Sequence, residues 1–181
     1  MQIKLQHNLD DLIKLIKPIS DDIRSYSSVY HATQDKLVYS NGFVIIETSK
    51  PRDIPIDTIG NFKFNGTQST VNYPKYESIT FENSEELEIN IDYLLKVANL
   101  VKPQSKKVYP YISNNGYITT LSETPKDSLN LEYVCLANKL IMGSKKGYRK
   151  GDMLKITDGI TTIYLTYSKD QTTWNSKTYH H

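Results

Sequence analysis

Residues 89–101 (INIDYLLKVANLV) return forty positions later as residues 129–141 (LNLEYVCLANKLI). Each copy reads as a short strand end that runs into an amphipathic helix. In the first, Leu94, Leu95, Ala98 and Val101 make the apolar stripe of a helix over residues 92–102, with Lys96, Asn99 and Lys102 off it and Pro103 as its stop. The second helix, over residues 132–142, buries Leu131, Val134, Cys135, and Asn138 or Ile141 according to its phase. The repeat speaks first to architecture.

The flanking sequence fits the same plan. Ile3 and Leu5 alternate as a strand; Asn8 then caps a helix whose first turn holds Asp10 and Asp11, where the helix dipole favours them. Leu9, Leu12, Ile13 and Ile16 recur at helical spacing, and Pro18 ends or bends the helix. From Ser27 the period becomes two, and Asn41-Gly42 is a strong hairpin signal. Ile56 and Ile59 form at most a turn or two of helix, Phe62 and Phe64 a short strand, and Asn65-Gly66 a turn. Residues 72–79 (NYPKYESI), with a proline between tyrosines, read as an extended connector. Strands are expected at 79–81 and 86–90, with a hairpin at Asn114, Asn115 and Gly116. Residues 143–152 (GSKKGYRKGD) read as a glycine-punctuated basic loop. A last hairpin turns at Asp158-Gly159, with Ile160, Ile163 and Leu165 near its core face.

Every long helix thus follows a strand and precedes antiparallel hairpins. The class is α+β, antiparallel sheets with short helices packed on one face, and not a doubly wound fold. The expected division is a reduced domain at 1–71 with one good helix, a connector at 72–80, a domain at 81–168 built of two strand-helix-hairpin halves, and a polar tail at 169–181.

With 181 residues, 38% of them hydrophobic and 23% charged, the chain buries a core without staples. It has no apolar run of membrane-spanning length and no apolar signal segment near Met1, so a cytoplasmic protein is expected. The single cysteine, Cys135, excludes an internal disulfide and a thiolate metal cluster and reads as a small buried hydrophobe. A net charge of +2 is too small to argue for nucleic acid, so that case rests on where the lysines lie. Fourteen tyrosines against four phenylalanines point to half-exposed aromatic positions on sheets or at an interface.

The repeated strand-helix-hairpin unit, the Tyr73-Pro74-Lys75-Tyr76 connector and the helix start Ile89-Asn90-Ile91-Asp92-Tyr93-Leu94-Leu95 together resemble the DNA sliding clamps, the polymerase processivity factors. The resemblance implies a sliding-clamp-like fold in a reduced, phage-like member, with residues 56–61 in place of a second helix in the first domain. It also implies a non-enzymatic DNA-associated processivity or recruitment factor without cofactors. Its partners would be duplex DNA, a replication protein and further copies of itself, with three or more copies needed to close a ring. Clamp helices line the hole and their lysines touch phosphates without base specificity, which marks Lys14, Lys17, Lys96, Lys102 and Lys139.

Lys145, Lys146, Arg149 and Lys150, with Tyr148 among them, form a second candidate. Cations interleaved with an aromatic suit backbone contact with base stacking, and the segment lacks the phosphate-loop pattern. Against both candidates, lysines ordinarily solvate an open helix face, and Asp10, Asp11, Asp92 and Glu132 share those helices. No catalytic or metal site is expected. His7, His31, His180 and His181 have no ligand partners at motif spacing, adjacent Asp21 and Asp22 point apart on regular structure, and Ser27 and Ser28 sit in no nucleophile elbow. The alternative function is a protein-protein interaction module without DNA binding, built on tyrosine-rich surfaces.

Overall fold

The computed structural model describes residues 6–20, 24–76, 87–100, 111–113, 118–119 and 128–167. Three helices occur among them, α1 (Leu9–Ile16), α2 (Ile91–Leu100) and α3 (Leu131–Leu140). The strands are β1 (Val29–Ala32), β2 (Lys36–Ser40), β3 (Val44–Ser49), β4 (Gly60–Lys63), β5 (Leu87–Ile89), β6 (Tyr111–Ser113), β7 (Ile118–Thr119), β8 (Ser128–Asn130), β9 (Lys146–Lys150), β10 (Met153–Thr157) and β11 (Thr161–Thr166). Eight form one sheet in the order β4-β1-β2-β3-β11-β10-β9-β5, and three form a second in the order β7-β6-β8. Every pairing is antiparallel.

Local chemistry explains the helix starts. Asn8 Oδ1 accepts the Asp11 N–H at 2.8 Å, and Asp10 and Asp11 occupy the first turn of α1. Pro18 does not break the chain's course but sits in a short 3-10 turn, Lys17–Ile19, that continues from α1. The two copies of the repeat start alike. Asn90 Oδ1 accepts the Asp92 N–H at 3.1 Å, and Asn130 Oδ1 accepts the Glu132 N–H at 2.8 Å. The asparagine common to both copies therefore quenches an amide that the first helical turn leaves open.

The helices cover one face of the large sheet. Tyr39, Val44, Ile46, Leu154, Ile156, Ile163 and Leu165 point to that side and share a core with Leu12 and Ile16 of α1, Leu94, Leu95 and Ala98 of α2, and Leu131, Val134 and Ala137 of α3. Truncating any of the large aliphatic side chains to alanine costs about 2–5 kcal/mol at such positions. Across β3 and β11, Thr48 and Thr161 exchange a buried hydroxyl hydrogen bond of 2.9 Å. That strand pair joins the N-terminal segment to the last of the described strands.

The second and third strand-helix units are interlocked. β5 precedes α2 yet pairs with β9, which follows α3; β8 precedes α3 yet pairs with β6, which follows α2. Each unit lends its first strand to the other. The first unit has no such donor among the described residues, and β4 from its own chain lies on β1 as β5 lies on β9.

Several expectations need correction. The basic segment is no loop: residues 146–150 are β9, an interior strand flanked by β5 and β10. Residues 56–59 form no helix, and Ile56 and Ile59 are exposed. Cys135 is half-buried rather than buried, because α3 turns Leu136 inward instead. Ile160 is half-buried in the turn, while Ile163 and Leu165 reach the core. Ile3, Leu5, Asp21, Asp22, Val101, Lys102, Pro103, the 79–81 strand, the Asn114 to Gly116 hairpin and the 169–181 tail lie outside the described residues. Among the described residues no helix is long and apolar enough to cross a membrane.

Candidate functional site

The basic residues divide between two faces. On the helical side Lys14, Lys17, Lys96 and Lys139 are exposed. Lys14 Nζ lies 3.4 Å from Asp11 Oδ1, an i,i+3 pair in open solvent, and such pairs are worth little. His7 Nε2 donates to the Lys139 carbonyl at 3.2 Å, which brings the segment before α1 to the end of α3. Asp10 and Asp92 are also exposed there, while Glu132 is half-buried and its carboxyl is pushed up by burial.

The strand set points elsewhere. In β9, Gly147 and Arg149 pair with Ile156 and Leu154, two core residues, and so face the helices. Lys146, Tyr148 and Lys150 alternate to the opposite, outer face. The Arg149 guanidinium lies 4.3 Å from the Tyr167 ring centroid, and its Nε donates to the Gly151 carbonyl at 3.2 Å. Lys155, beside Tyr148 on β10, holds its ammonium 5.4 Å from the Tyr148 ring centroid. Lys145 leads into β9 and is half-buried. The two candidate sets therefore separate: Lys14, Lys17, Lys96 and Lys139 lie on the helical side, Lys146, Tyr148 and Lys150 lie on the opposite face, and Arg149 alone of the strand set turns toward the helical side, onto Tyr167.

The outer face carries a feature that no sequence motif announced. The connector crosses it, with Tyr73 and Tyr76 packed on the buried cluster Val38, Ile45 and Tyr164. Tyr73 stacks on His31 at 5.6 Å between centroids and donates its hydroxyl to the Val38 carbonyl at 3.3 Å; burial pushes its phenol well up. Asn61 Nδ2 donates to the Val71 carbonyl at 2.8 Å, so its Oδ1 is the acceptor facing His31 Nδ1 at 2.6 Å, and that ring nitrogen carries the proton.

Beside the connector opens a cavity of about 220 Å³ walled by Phe43, Ile45, Pro74, Tyr76, Met153 and Tyr164. Its rim depends on the β2–β3 turn. Gly42 has φ +88°, and a Cβ there would come to 2.9 Å from Tyr26 Oη, so the turn needs glycine on both counts. Arg24 covers the Phe43 ring at 4.4 Å and donates to the Asn41 carbonyl at 3.1 Å. The groove is assembled from the β2–β3 turn, the connector, β10 and β11, segments far apart in sequence. The tyrosine excess signalled such a surface without locating it.

Cys135 donates its thiol to the Ala98 carbonyl at 3.2 Å, and burial pushes that thiol up, away from the reactive thiolate. Among the described residues, no group of three or more His, Cys, Asp and Glu side chains is placed to hold a metal.

No family model matches the sequence and no curated sequence is similar to it. The folded chain, in contrast, is similar to solved bacterial sliding clamps. The clamp of Pseudomonas aeruginosa with a ligand superposes at TM-score 0.58 with 8% identity, covering 90% of this chain and 64% of that one. DNA polymerase III subunit beta of Borrelia burgdorferi in complex with a natural product gives 0.55 with 15% identity, over 90% and 62% of the two chains. The Bacillus subtilis clamp gives 0.53 with 14% identity, over 94% and 66%. The chain thus spans less than two thirds of the length of these clamps. At such identities the likeness concerns architecture, and the conclusion is that this chain has the sliding-clamp fold.

Proposed function

We propose that the protein is a non-enzymatic, DNA-associated recruitment or processivity factor that sets its helical face against duplex DNA. One observation carries the reading: α1, α2 and α3 lie on the same side of the sheet and leave Lys14, Lys17, Lys96 and Lys139 exposed on it. Lysines spread over a helical surface neutralise phosphates without reading bases, which is what a protein that moves along DNA requires. In this reading Lys145, Lys146, Tyr148, Arg149 and Lys150 stay a separate candidate, since β9 carries Lys146, Tyr148 and Lys150 on the outer face and Arg149 lies against Tyr167. Lys102 stays with the proposed helical set.

The groove favours a second role for the other face. An apolar cavity beside an aromatic connector suits side chains of an extended segment from a replication protein. DNA on one face and a protein on the other is the arrangement of a recruitment factor. A groove that works without DNA is the interaction-module alternative.

Retention on duplex DNA separates the two. The reading expects retention at low salt that is lost as salt rises and weakened when Lys14, Lys17, Lys96 and Lys139 are changed together to glutamine. Absence of retention at low salt would leave the interaction module alone standing. Ring closure is a further proposal, with three or more copies of the chain, and solution mass at high concentration tests it: a strict monomer removes the ring and leaves the DNA reading to the retention assay.

A further inference from the structure

We infer that residues 50–70 form an end cap: they fill the edge of β1 with the chain's own β4, and so keep a second copy of the chain from adding a strand there. Copies that assemble join through other surfaces.

The eight-stranded sheet ends in β4 on one side and in β5 on the other. β5 reaches β9 from a different strand-helix unit, and β8 reaches β6 in return. At β1 the corresponding place is taken by β4, which follows β1 in the same unit. The cover is complete, with Lys63, Phe62, Asn61 and Gly60 opposite Val29, Tyr30, His31 and Ala32. An uncovered β1 would present a row of open N–H and C=O groups, the template on which a foreign strand adds.

The segment is fastened along its whole approach. The Lys50 N–H donates to the Asp35 carbonyl at 2.7 Å and its ammonium to the Thr33 carbonyl at 3.0 Å, both in the turn that follows β1. The Asp53 carboxylate accepts the Leu9 N–H at 3.0 Å, at the start of α1, and Ile54 is buried with Tyr30, Ala32 and Leu37. Phe62 stacks on Tyr30 at 5.8 Å between centroids, and Phe64 lies 6.0 Å from Tyr39.

The cap's own outer edge is blunt. After Asn65-Gly66 the chain turns back and makes an isolated bridge from Phe62 to Gln68, with the Lys63 and Ser69 N–H groups donating to the Thr67 and Asn61 carbonyls. Asn61 Nδ2 then holds the Val71 carbonyl at 2.8 Å. An edge this short, with Lys63, Thr67 and Gln68 exposed along it, is a poor template for a further strand.

Two glycines allow the cap to be loosened without a clash. Gly60 has φ +123° and Gly66 φ +82°, where an L side chain is strained. A Cβ would come no nearer than 3.8 Å to Gln68 Nε2 at the first and would meet nothing within 4 Å at the second. The Gly60→Val, Gly66→Val double variant therefore acts through the backbone alone.

The test uses the full chain, this double variant, and Lys50→Met as a milder variant read in parallel; a cooperative melt shows which variants are folded. Hydrogen exchange at the amides of Val29–Ala32 is expected to quicken about tenfold in the double variant. Sedimentation should then show its mass rising with concentration above that of the unaltered chain. A labelled peptide of residues 60–66 (GNFKFNG) should bind the double variant, suppress its association when in excess, and not bind the unaltered chain. A scrambled peptide should do none of this. Faster exchange at β1 with unchanged mass and no peptide uptake overturns the inference, because an open edge would then attract nothing. Unchanged β1 exchange in both variants overturns it as well, since the segment would not be what shields the edge. Equal uptake of the peptide by the unaltered chain shows an edge that was never closed and likewise overturns it.

Discussion

Asn41 Nδ2 donates to Tyr133 Oη at 3.2 Å, a hydrogen bond between the β2–β3 turn and α3. The same amide nitrogen donates to the Ile19 carbonyl at 3.0 Å, and Oδ1 accepts the Phe43 and Val44 N–H groups, each at 3.0 Å. Asn41 is 1% exposed, so water cannot replace these partners. Asn41→Ala is expected to cost about 3 kcal/mol and Tyr133→Phe about 1 kcal/mol in urea denaturation. Equal costs would show that the amide's backbone partners contribute nothing.

Lys50 closes the loop that follows β3. Its ammonium donates to the carbonyls of Thr33 and Ile56 at 3.0 Å and of Thr58 at 2.7 Å, one acceptor for each N–H. Lys50→Met keeps the stem and removes the donors, at an expected cost of about 2 kcal/mol. Lys50→Arg is expected to fail as a rescue, since a planar fork cannot point three ways as an ammonium does. Hydrogen exchange at Ile54 and Thr58, whose amides bond within this loop, reports the loss. Unchanged exchange in Lys50→Met would contradict the role.

The connector is held by Tyr73, through its stack on His31 and its bond to the Val38 carbonyl. Tyr73→Phe removes only the hydroxyl and is expected to cost about 1 kcal/mol; Tyr73→Ala removes the stack as well, about 3–4 kcal/mol. Tryptic cleavage after Lys75 should accelerate in the alanine variant and hardly change in the phenylalanine one. The same rate in both would assign the hold to other residues.

Asp158 contributes stability that depends on pH. Burial pushes its carboxyl up, but the N–H groups of Thr161 and Ile160 at 2.9 Å and of Gly143 at 2.8 Å outweigh burial and hold it below its ordinary value of 3.8. The folded chain therefore binds this proton less readily than the unfolded chain. The contribution is complete above the ordinary value and is lost as pH falls through the folded one. Asp158→Asn should flatten the acid side of the stability profile below about pH 4 and leave the slope at neutral pH alone. Identical acid slopes would contradict this.

What the sequence made legible was local. The asparagine starts of α2 and α3, the stripe Leu94, Leu95 and Ala98, and the turns at Asn41-Gly42 and Asp158-Gly159 follow from capping, periodicity and φ preference, all written within a few neighbouring residues. β9 was misread because glycine and lysine mark loops when neighbours are ignored. Gly147 sits buried opposite Ile156, and pairing on both edges overrides the weak local preference. The β3–β11 junction and the groove join residues more than a hundred positions apart, and no local signal encodes such a meeting. The lysines were visible one by one, but assigning them to faces required the register of β9.

The helical face, and not the sheet, is proposed to meet DNA. The direct measurement is the salt dependence of duplex affinity for three proteins: the unaltered chain, the variant with Lys14, Lys17, Lys96 and Lys139 changed to glutamine, and the variant with Lys146 and Lys150 changed to glutamine. Each lost phosphate contact lowers the slope of log affinity against log salt by about 0.9. The slope is expected to fall in the helical variant, by as much as about four such steps, and to stay unchanged in the strand variant. A slope that survives the helical substitutions, or that falls with the strand pair, would contradict it.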